Sequence, residues 1–270
     1  MRQPLKSFTT AAYRRKRDGA SVMNFPIEIK INIDGNIAAA LSALDRTQGD
    51  QAQKRLIWFA ENRQGMADGR LLLDSGVIVR FRSGDTPDEL TVKLRPCTTE
   101  QLSGRFSDPF DKESFEYKIE EDWSGMRRAL SASATRAHPQ GALLHAVAPG
   151  ADAAAPLDTL QLRFLQECAH AVRITGLDAL GPIASTKLNN VPLDDLEVDF
   201  ERWTVVDLDF LELSIRVKPK RGEESHEFEE RAERKQKKLE SAVQDRGVVI
   251  SENPENKTRR VLTALARNHP

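Results

Sequence analysis

The sequence predicts an α+β protein in which an antiparallel β-sheet closes, or nearly closes, into a barrel with helices packed outside. Six segments alternate aliphatic and charged residues with a period of two, which is typical of strands whose faces meet different environments. Basic and acidic residues are concentrated in different strands rather than scattered. Other stretches repeat apolar residues at the spacing of amphipathic helices.

Composition limits what the protein can be. The chain has 270 residues, 39% of them hydrophobic and 30% charged, which suits one large domain or two small ones. Its formal net charge of −1 argues against a dedicated nucleic-acid binder, which would carry a basic excess. No apolar run approaches the roughly 20 residues of a membrane span. Two cysteines without CxxC spacing, and an N-terminus without a signal peptide, predict a cytoplasmic protein.

Two boundaries are predicted along the chain. Residues 1–22 lack periodicity and include the basic run Arg14 to Arg17, which predicts a disordered tail, or alternatively a basic arm that touches nucleic acid. Met23 directly precedes the first strand and is an alternative start of the protein. Residues 23–268 are predicted to form a single domain. Its halves, 23–141 and 157–268, are joined by an Ala/Pro-rich linker at 142–156.

The hairpin predicted at residues 74–96 is the most informative segment. Its strands, VIVRFR and ELTVKLRP, place Arg80, Arg82, Lys93 and Arg95 on one face, opposite an aliphatic face. Like charges on neighbouring strands cost about 0.2–1 kcal/mol per pair, so the arrangement indicates that a polyanion binds there. The alternative is the solvated face of an edge hairpin, where such charges discourage aggregation.

The remaining elements follow from the same two periodicities. Further strands are predicted at 26–34, 54–60, 114–122, 180–188, 196–200 and 210–218, and helices at 36–47, 124–136, 157–172, 223–244 and from about 255. The helix at 223–244 is highly charged and is interpreted as solvated.

The separation of charges suggests what the sheet encloses. An open antiparallel sheet with one wet face would also alternate, but its polar residues would be more mixed. A closed barrel with a charged lumen gives the separation a purpose, because cations bind phosphoryl oxygens and carboxylates hold hard divalent ions. The basic hairpin and the acidic strand around Glu197 and Asp199 would supply the two sets.

Short motifs follow one another in a specific order over residues 23–268. They are PIEIK (26–30), RLIWFAEN (55–62), GVIVRFR (76–82), ELTVKLRP (89–96), EYKIEE (116–121), IASTK (183–187), LEVDF (196–200), FLELSIRV (210–217) and ENKTRRVL (255–262). Together they resemble the CYTH superfamily, or triphosphate tunnel metalloenzymes, which includes class IV adenylyl cyclases, thiamine triphosphatases and inorganic triphosphatases. PIEIK resembles the family's ExExK strand through Glu28 and Lys30, with Pro26 in place of the first Glu.

The resemblance implies a fold, a reaction and a site. The fold would be an eight-stranded antiparallel β tunnel with helices outside. The protein would be a metal-dependent phosphohydrolase that acts on inorganic or organic triphosphates with Mg²⁺ or Mn²⁺. The implied phosphate-binding residues are Lys30, Arg80, Arg82, Lys93, Arg95, Lys187 and Lys257, with Lys30 also catalytic, and the implied metal ligands are Glu28, Glu116, Glu120, Asp199 and Glu212.

Departures from the family pattern keep other functions open. Besides Pro26, FLELSIRV keeps Glu212 but has Ser214 and Arg216 where the family has two more acids. The alternative is a catalytically impaired tunnel that binds polyphosphate or phosphorylated nucleotides. A class IV-type adenylyl cyclase is less favoured, because nothing in the sequence resembles an adenine pocket. The expected partner is a triphosphate-containing small molecule, without nucleic acid or membrane, and a homodimer remains open.

Other kinds of site find little support. The five histidines, His138, His145, His170, His226 and His269, lack metal-ligand spacing. Cys97 has no partner His indicated by the sequence and is interpreted as a plain thiol. No phosphate-binding glycine loop is present.

Overall fold

The strands of the protein form one continuous sheet. In a computed structural model, residues 24–44, 52–169, 172, 174–252 and 257–267 are described. The predicted tail 1–22, the start at Met23, His170 and His269 lie outside these residues. The strands are β1 (Ile27–Ile33), β2 (Gln53–Asn62), β3 (Val77–Gly84), β4 (Asp88–Cys97), β5 (Phe110–Lys112), β6 (Phe115–Ser124), β7 (Arg127–His138), β8 (Leu177–Leu193), β9 (Leu196–Val205) and β10 (Leu208–Val217).

The sheet closes on itself. Its order is β1-β10-β9-β8-β2-β3-β4-β7-β6, and β6 pairs back with β1. This last pairing is parallel and joins Ile27 to Glu121, whereas the other pairs are antiparallel. Short β5 pairs with the start of β6 as an extra strand. The predicted tunnel architecture is therefore confirmed, but the described barrel has nine strands and one parallel pair rather than eight antiparallel strands.

The ninth barrel strand is β7, which the sequence analysis wrongly predicted as a helix. Its residues, RRALSASATRAH, are rich in Ala, Ser and Arg, and Ala is the strongest helix former. Tertiary packing overrides this propensity, because Ala132 and Ala134 are fully buried and the strand hydrogen-bonds with both β4 and β6. Small residues on its apolar face hid the alternation.

The hydrophobic core lies outside the barrel, between its wall and the helices. The helices are α1 (Ile37–Leu44), α2 (Arg63–Ala67), α3 (Thr159–Cys168), α4 (Ser225–Gln244) and α5 (Lys257–Arg267). The four isoleucines of β1 are buried in one cluster with residues of α1 and α4, including Phe228 and Leu239. Because the apolar faces of the strands turn outward to these helices, their charged faces turn inward.

The segment 142–156, predicted as a linker, packs against the barrel. Leu143, Ala146 and Ala153 are buried in the cluster that covers β3, β4 and β6. The buried carboxylate of Asp88 accepts hydrogen bonds from the backbone N–H groups of Gly141 and Leu143, at 3.0 and 2.8 Å. The segment is therefore held at both its side chains and its backbone. The division of the chain into halves stays a prediction.

No helix in the described ranges is long and apolar enough to cross a membrane. The cytoplasmic location stays a prediction.

One buried carboxyl group of the wall is expected to make stability depend on pH. Glu61 of β2 is 1% exposed and accepts a 2.6 Å hydrogen bond from the N–H of Leu72, at the start of a 3-10 helix. Burial raises its pKa from 4.5 to about 7, although this hydrogen bond opposes the shift. Because the folded state binds the proton more tightly than the unfolded state, stability falls as the pH rises from 4.5 to 7.

We therefore expect Glu61→Gln to flatten the pH profile of stability. Between pH 5 and pH 8 the native protein should lose about 2–3 kcal/mol relative to the variant. Urea denaturation at the two pH values measures this difference. Glu230→Gln, on the exposed face of α4, is the matched control and should follow the native profile. Parallel profiles for Glu61→Gln and the native chain would contradict the prediction.

Candidate functional site

The inward faces of the strands enclose a charged cavity of about 380 Å³. Among the described residues, ten basic and six acidic side chains line it. The basic ones are Lys30, Arg55, Arg80, Arg82, Lys93, Arg95, Lys118, Lys187, Arg216 and Lys257, and the acidic ones are Glu28, Glu89, Glu116, Glu120, Glu201 and Glu212. The excess of cations means that the cavity attracts anions.

All seven residues predicted to bind phosphate line this cavity. They come from β1, β3, β4, β8 and α5, so the barrel brings together residues that lie far apart in the sequence. None of the histidines of the described part of the chain lines it. Cys97 and Cys168 are buried free thiols outside it.

Arg80 differs from the other lining cations because it has no ionic partner among the described residues. No carboxylate within the described residues lies at salt-bridge distance from it, and its Nε is buried without a hydrogen-bond acceptor. Burial and, after it, the charge of Arg82 lower the pKa of Arg80 to about 9. The Nε atoms of Arg55 and Arg82 are also buried without acceptors. Unpaired buried donors of this kind are costly, so an anion that accepts from them would be strongly favoured.

Asp122 of β6 gathers the neighbouring cations. It lies 2.6 Å from Lys30 Nζ, 3.0 Å from Lys93 Nζ and 3.8 Å from the guanidinium of Arg95. Burial alone would raise the pKa of the Asp122 carboxyl, but Lys30 and Lys93 hold it well below its usual range. The aspartate is therefore a buried anion that holds three half-buried cations together.

Lys30, the predicted catalytic residue, forms ion pairs with two carboxylates. Its ammonium lies 2.8 Å from Glu28 and 2.6 Å from Asp122. Burial would lower the pKa of Lys30, but Glu28 and Asp122 raise it above its ordinary value. The lysine therefore stays protonated at neutral pH and can stabilise negative charge. Its catalytic role stays a prediction.

A second cluster joins β9, β10 and α5. Glu201 and Glu212 are directly opposite each other on neighbouring strands, an arrangement that like charges disfavour. Lys257, the first residue of α5, relieves the repulsion by lying 3.2 Å from Glu201 and 3.0 Å from Glu212. Its ammonium also sits 4.0 Å from the ring centroid of Trp203. Val261 and Leu262 of α5 lie in the same buried cluster as Trp203, and the first residues of this helix line the cavity.

The five predicted metal ligands are each paired with a cation. The pairs are Glu28–Lys30 at 2.8 Å, Glu116–Lys118 at 2.6 Å, Glu120–Arg216 at 2.8 Å, Asp199–Lys187 at 3.0 Å and Glu212–Lys257 at 3.0 Å. Over the ranges that the structure describes, no three His, Cys, Asp or Glu side chains are arranged to hold a metal ion. The residues in this arrangement therefore do not fit a divalent metal.

Asp199 alone of the five does not line the cavity. Its carboxylate accepts a 3.0 Å hydrogen bond from the backbone N–H of Asn190. Asn190 lies in a bulge of β8, where the pairing with β9 shifts register between Leu188 and Val191. At this bulge the Asp199 carboxylate binds a backbone N–H group of β8 and does not line the cavity.

Six charged residues of the site were not among the predicted site residues, namely Arg55, Glu89, Lys118, Asp122, Glu201 and Arg216. Asp122 and Glu201 each continue an alternation that was recognised, one step beyond the residues chosen as metal ligands. Extending the period of two along β6 and β9 would have found both. Glu89, Lys118 and Arg216 lie on the charged faces of predicted strands, and Arg55 lies near the start of the predicted strand 54–60.

Comparisons with known proteins identify the fold. No family model matches the chain, and no curated protein is similar to it in sequence. Among solved structures, the chain is similar to a candidate adenylyl cyclase from Hippeastrum, described as having a dominant triphosphatase activity. The TM-score is 0.54 at 13% identity, and the match covers 88% of this chain and 96% of that one. A candidate adenylate cyclase from Bacillus halodurans matches with a TM-score of 0.51 at 11% identity, covering 87% and 96%. These similarities show a shared fold.

Proposed function

We propose that this chain is a divergent member of the CYTH superfamily and that its cavity binds the triphosphate group of an inorganic or organic triphosphate. The observation that carries this proposal is the guanidinium of Arg80, which lines the cavity beside Arg82 and whose Nε is buried without an acceptor among the described residues. A planar guanidinium donates to two phosphoryl oxygens at once, which satisfies donors that are otherwise left without acceptors. A linear triphosphate is long enough to contact several such cations.

Different cations of the cavity would bind different phosphoryl groups of the triphosphate. Arg80 and Arg82 would hold one phosphoryl group, while Lys93 and Arg95 on the neighbouring strand would hold the next, since β3 and β4 are paired in the sheet. Lys30 and Lys257, already neutralised by carboxylates, would contribute less charge and more orientation. Arg82, Lys93 and Arg95 already contact carboxylates. Among the described residues, Arg80 would therefore supply the hairpin's unneutralised positive charge.

Hydrolysis of the bound triphosphate is the second candidate function. It is favoured by the triphosphatase activity attributed to the Hippeastrum protein of the same fold. Phosphoryl transfer depends mainly on positioning and on stabilising negative charge, for which the buried cations are suited. For a metal-dependent route with Mg²⁺ or Mn²⁺, Glu28, Glu120 and Glu212 would first have to break their ion pairs with Lys30, Arg216 and Lys257.

Two measurements on the full chain test these proposals. Isothermal titration with tripolyphosphate should show saturable binding, and its absence with and without Mg²⁺ would overturn the proposed site. Phosphate release from tripolyphosphate, assayed with Mg²⁺ and separately with Mn²⁺, then decides between hydrolase and receptor. Binding without release under either metal would exclude the hydrolase.

Arg80→Gln is expected to weaken tripolyphosphate binding by about tenfold to a hundredfold, because a hydrogen bond to a charged group contributes about 1.5–3 kcal/mol. The fold should tolerate the change, since Arg80 has no ionic partner to leave behind. Titration calorimetry measures the loss. Arg234→Gln, on the exposed face of α4, is the matched control and should bind as the native chain does. Equal affinities for the two variants would place the anion elsewhere.

A further inference from the structure

The cavity contains basic residues at the points where its carboxylates converge. Arg216 of β10 lies directly opposite Glu28 of β1, and its guanidinium is 2.8 Å from Glu120 of β6. The arginine thus pairs with the carboxylate of Glu120 and lies next to Glu28 in the strand register. An arginine here adds positive charge where a metal site would require negative charge.

Two lysines of the cavity each contact a pair of carboxylates. Lys30 bridges Glu28 and Asp122, and Lys257 bridges Glu201 and Glu212. Divalent metal ions in proteins are bound by carboxylate oxygens from more than one residue. Here a lysine ammonium lies between such carboxylates. Both lysines are largely buried, with side chains 15% and 6% exposed, so their charges are poorly screened and would repel an incoming metal ion.

We propose that Lys30, Arg216 and Lys257 take the place of divalent metal ions, so that this chain binds a linear polyphosphate as the metal-free anion. The proposal rests on the proposed triphosphate site and departs from the metal dependence that the family resemblance implies. Its basis is geometric, because three cations occupy the carboxylate groups that a metal would need.

The proposal also defines the preferred form of the ligand. Tripolyphosphate chelates Mg²⁺, and the complex carries two fewer negative charges than the free anion. A cavity with more cations than carboxylates gains more from the free anion. Mg²⁺ should therefore compete with the protein for tripolyphosphate instead of assisting its binding.

Titration calorimetry of the full chain with tripolyphosphate, in excess EDTA and in excess Mg²⁺, tests this proposal. We expect binding in EDTA, and a dissociation constant at least about threefold higher in Mg²⁺. Binding that needs Mg²⁺ or Mn²⁺ would overturn the inference and leave the triphosphate site intact. Binding in neither condition would mean that the proposed function itself has failed.

Substitution of Arg216 tests its part separately. Arg216→Gln removes the cation and should lower the affinity in EDTA by about tenfold. Arg216→Glu should lower it further and make Mg²⁺ restore part of the loss, because the site then gains a carboxylate. Arg234→Glu makes the same charge change on the exposed face of α4 and should leave binding unchanged. Native affinity in EDTA for a folded Arg216→Gln protein would overturn the role of Arg216.

Discussion

Replacing Asp122 by asparagine is expected to destabilise the protein by about 3 kcal/mol and, at the same time, to tighten tripolyphosphate binding by about tenfold. The carboxylate contacts Lys30, Lys93 and Arg95, and its loss leaves three half-buried cations without their shared anion. A bound polyphosphate would then supply the missing negative charge. Urea denaturation measures the first effect and titration calorimetry in EDTA measures the second.

The opposite signs of the two effects make this prediction demanding. A variant that merely loosens the barrel would lose stability and affinity together. Asp195→Asn breaks an exposed ion pair with Lys238 of α4 and serves as the matched control. It should change the free energy of unfolding by less than about 1 kcal/mol and leave binding unaltered. Weaker binding by Asp122→Asn would show that the aspartate positions the cations instead of competing for them.

Lys257→Met is expected to destabilise the protein by about 3–5 kcal/mol at neutral pH, because it removes a buried cation from between two directly opposed carboxylates. Burial alone would raise the pKa of Glu201, but Lys257 and Arg82 hold it well below its usual range. Without the lysine, burial and the opposed carboxylate should raise the folded-state pKa of Glu201 above its unfolded value. The stability deficit should then be largest at high pH and shrink as the pH falls and a proton binds. Urea denaturation at pH 8 and pH 5 measures this dependence.

A lysine-to-methionine substitution on the surface tests whether loss of a positive charge is enough to destabilise the protein, or whether the loss must occur in the cavity. Lys238 of α4 contacts the exposed Asp195, and Lys238→Met should cost less than about 1 kcal/mol at either pH. A pH-independent deficit in Lys257→Met would mean that lost packing against Trp203, and not carboxylate repulsion, explains its instability.

Most of the fold could be predicted because its strands carry a strong alternation. The isoleucines of β1 and the cations of β3 and β4 mark their faces unambiguously. β7 could not be recognised in the same way, since Ala132 and Ala134 on its apolar face are residues that favour helices. The parallel pairing of β1 with β6 also has no local signal, because it follows from how the sheet closes.

The site was predicted less completely than the fold. Residue type and periodicity indicated which side chains face the lumen, and all seven predicted phosphate-binding residues do so. Periodicity does not indicate which charges pair with each other, and the structure pairs each predicted metal ligand with a lysine or arginine. The bulge at Asn190, which removes Asp199 from the cavity, is likewise set by tertiary pairing.

Closure of the barrel has a consequence for synthesis of the chain. Strand β1 is synthesised before the other strands, but its antiparallel partner is β10. The pairing of Ile27 with Val217 can therefore form only after most of the chain has been made. Until then the apolar face of β1 and the free edge of β9 are uncovered, and contacts so distant in sequence form slowly. We therefore expect nascent chains that end before β10 to aggregate unless a chaperone holds them, and the folding yield to depend more on the last third of the protein than on the first.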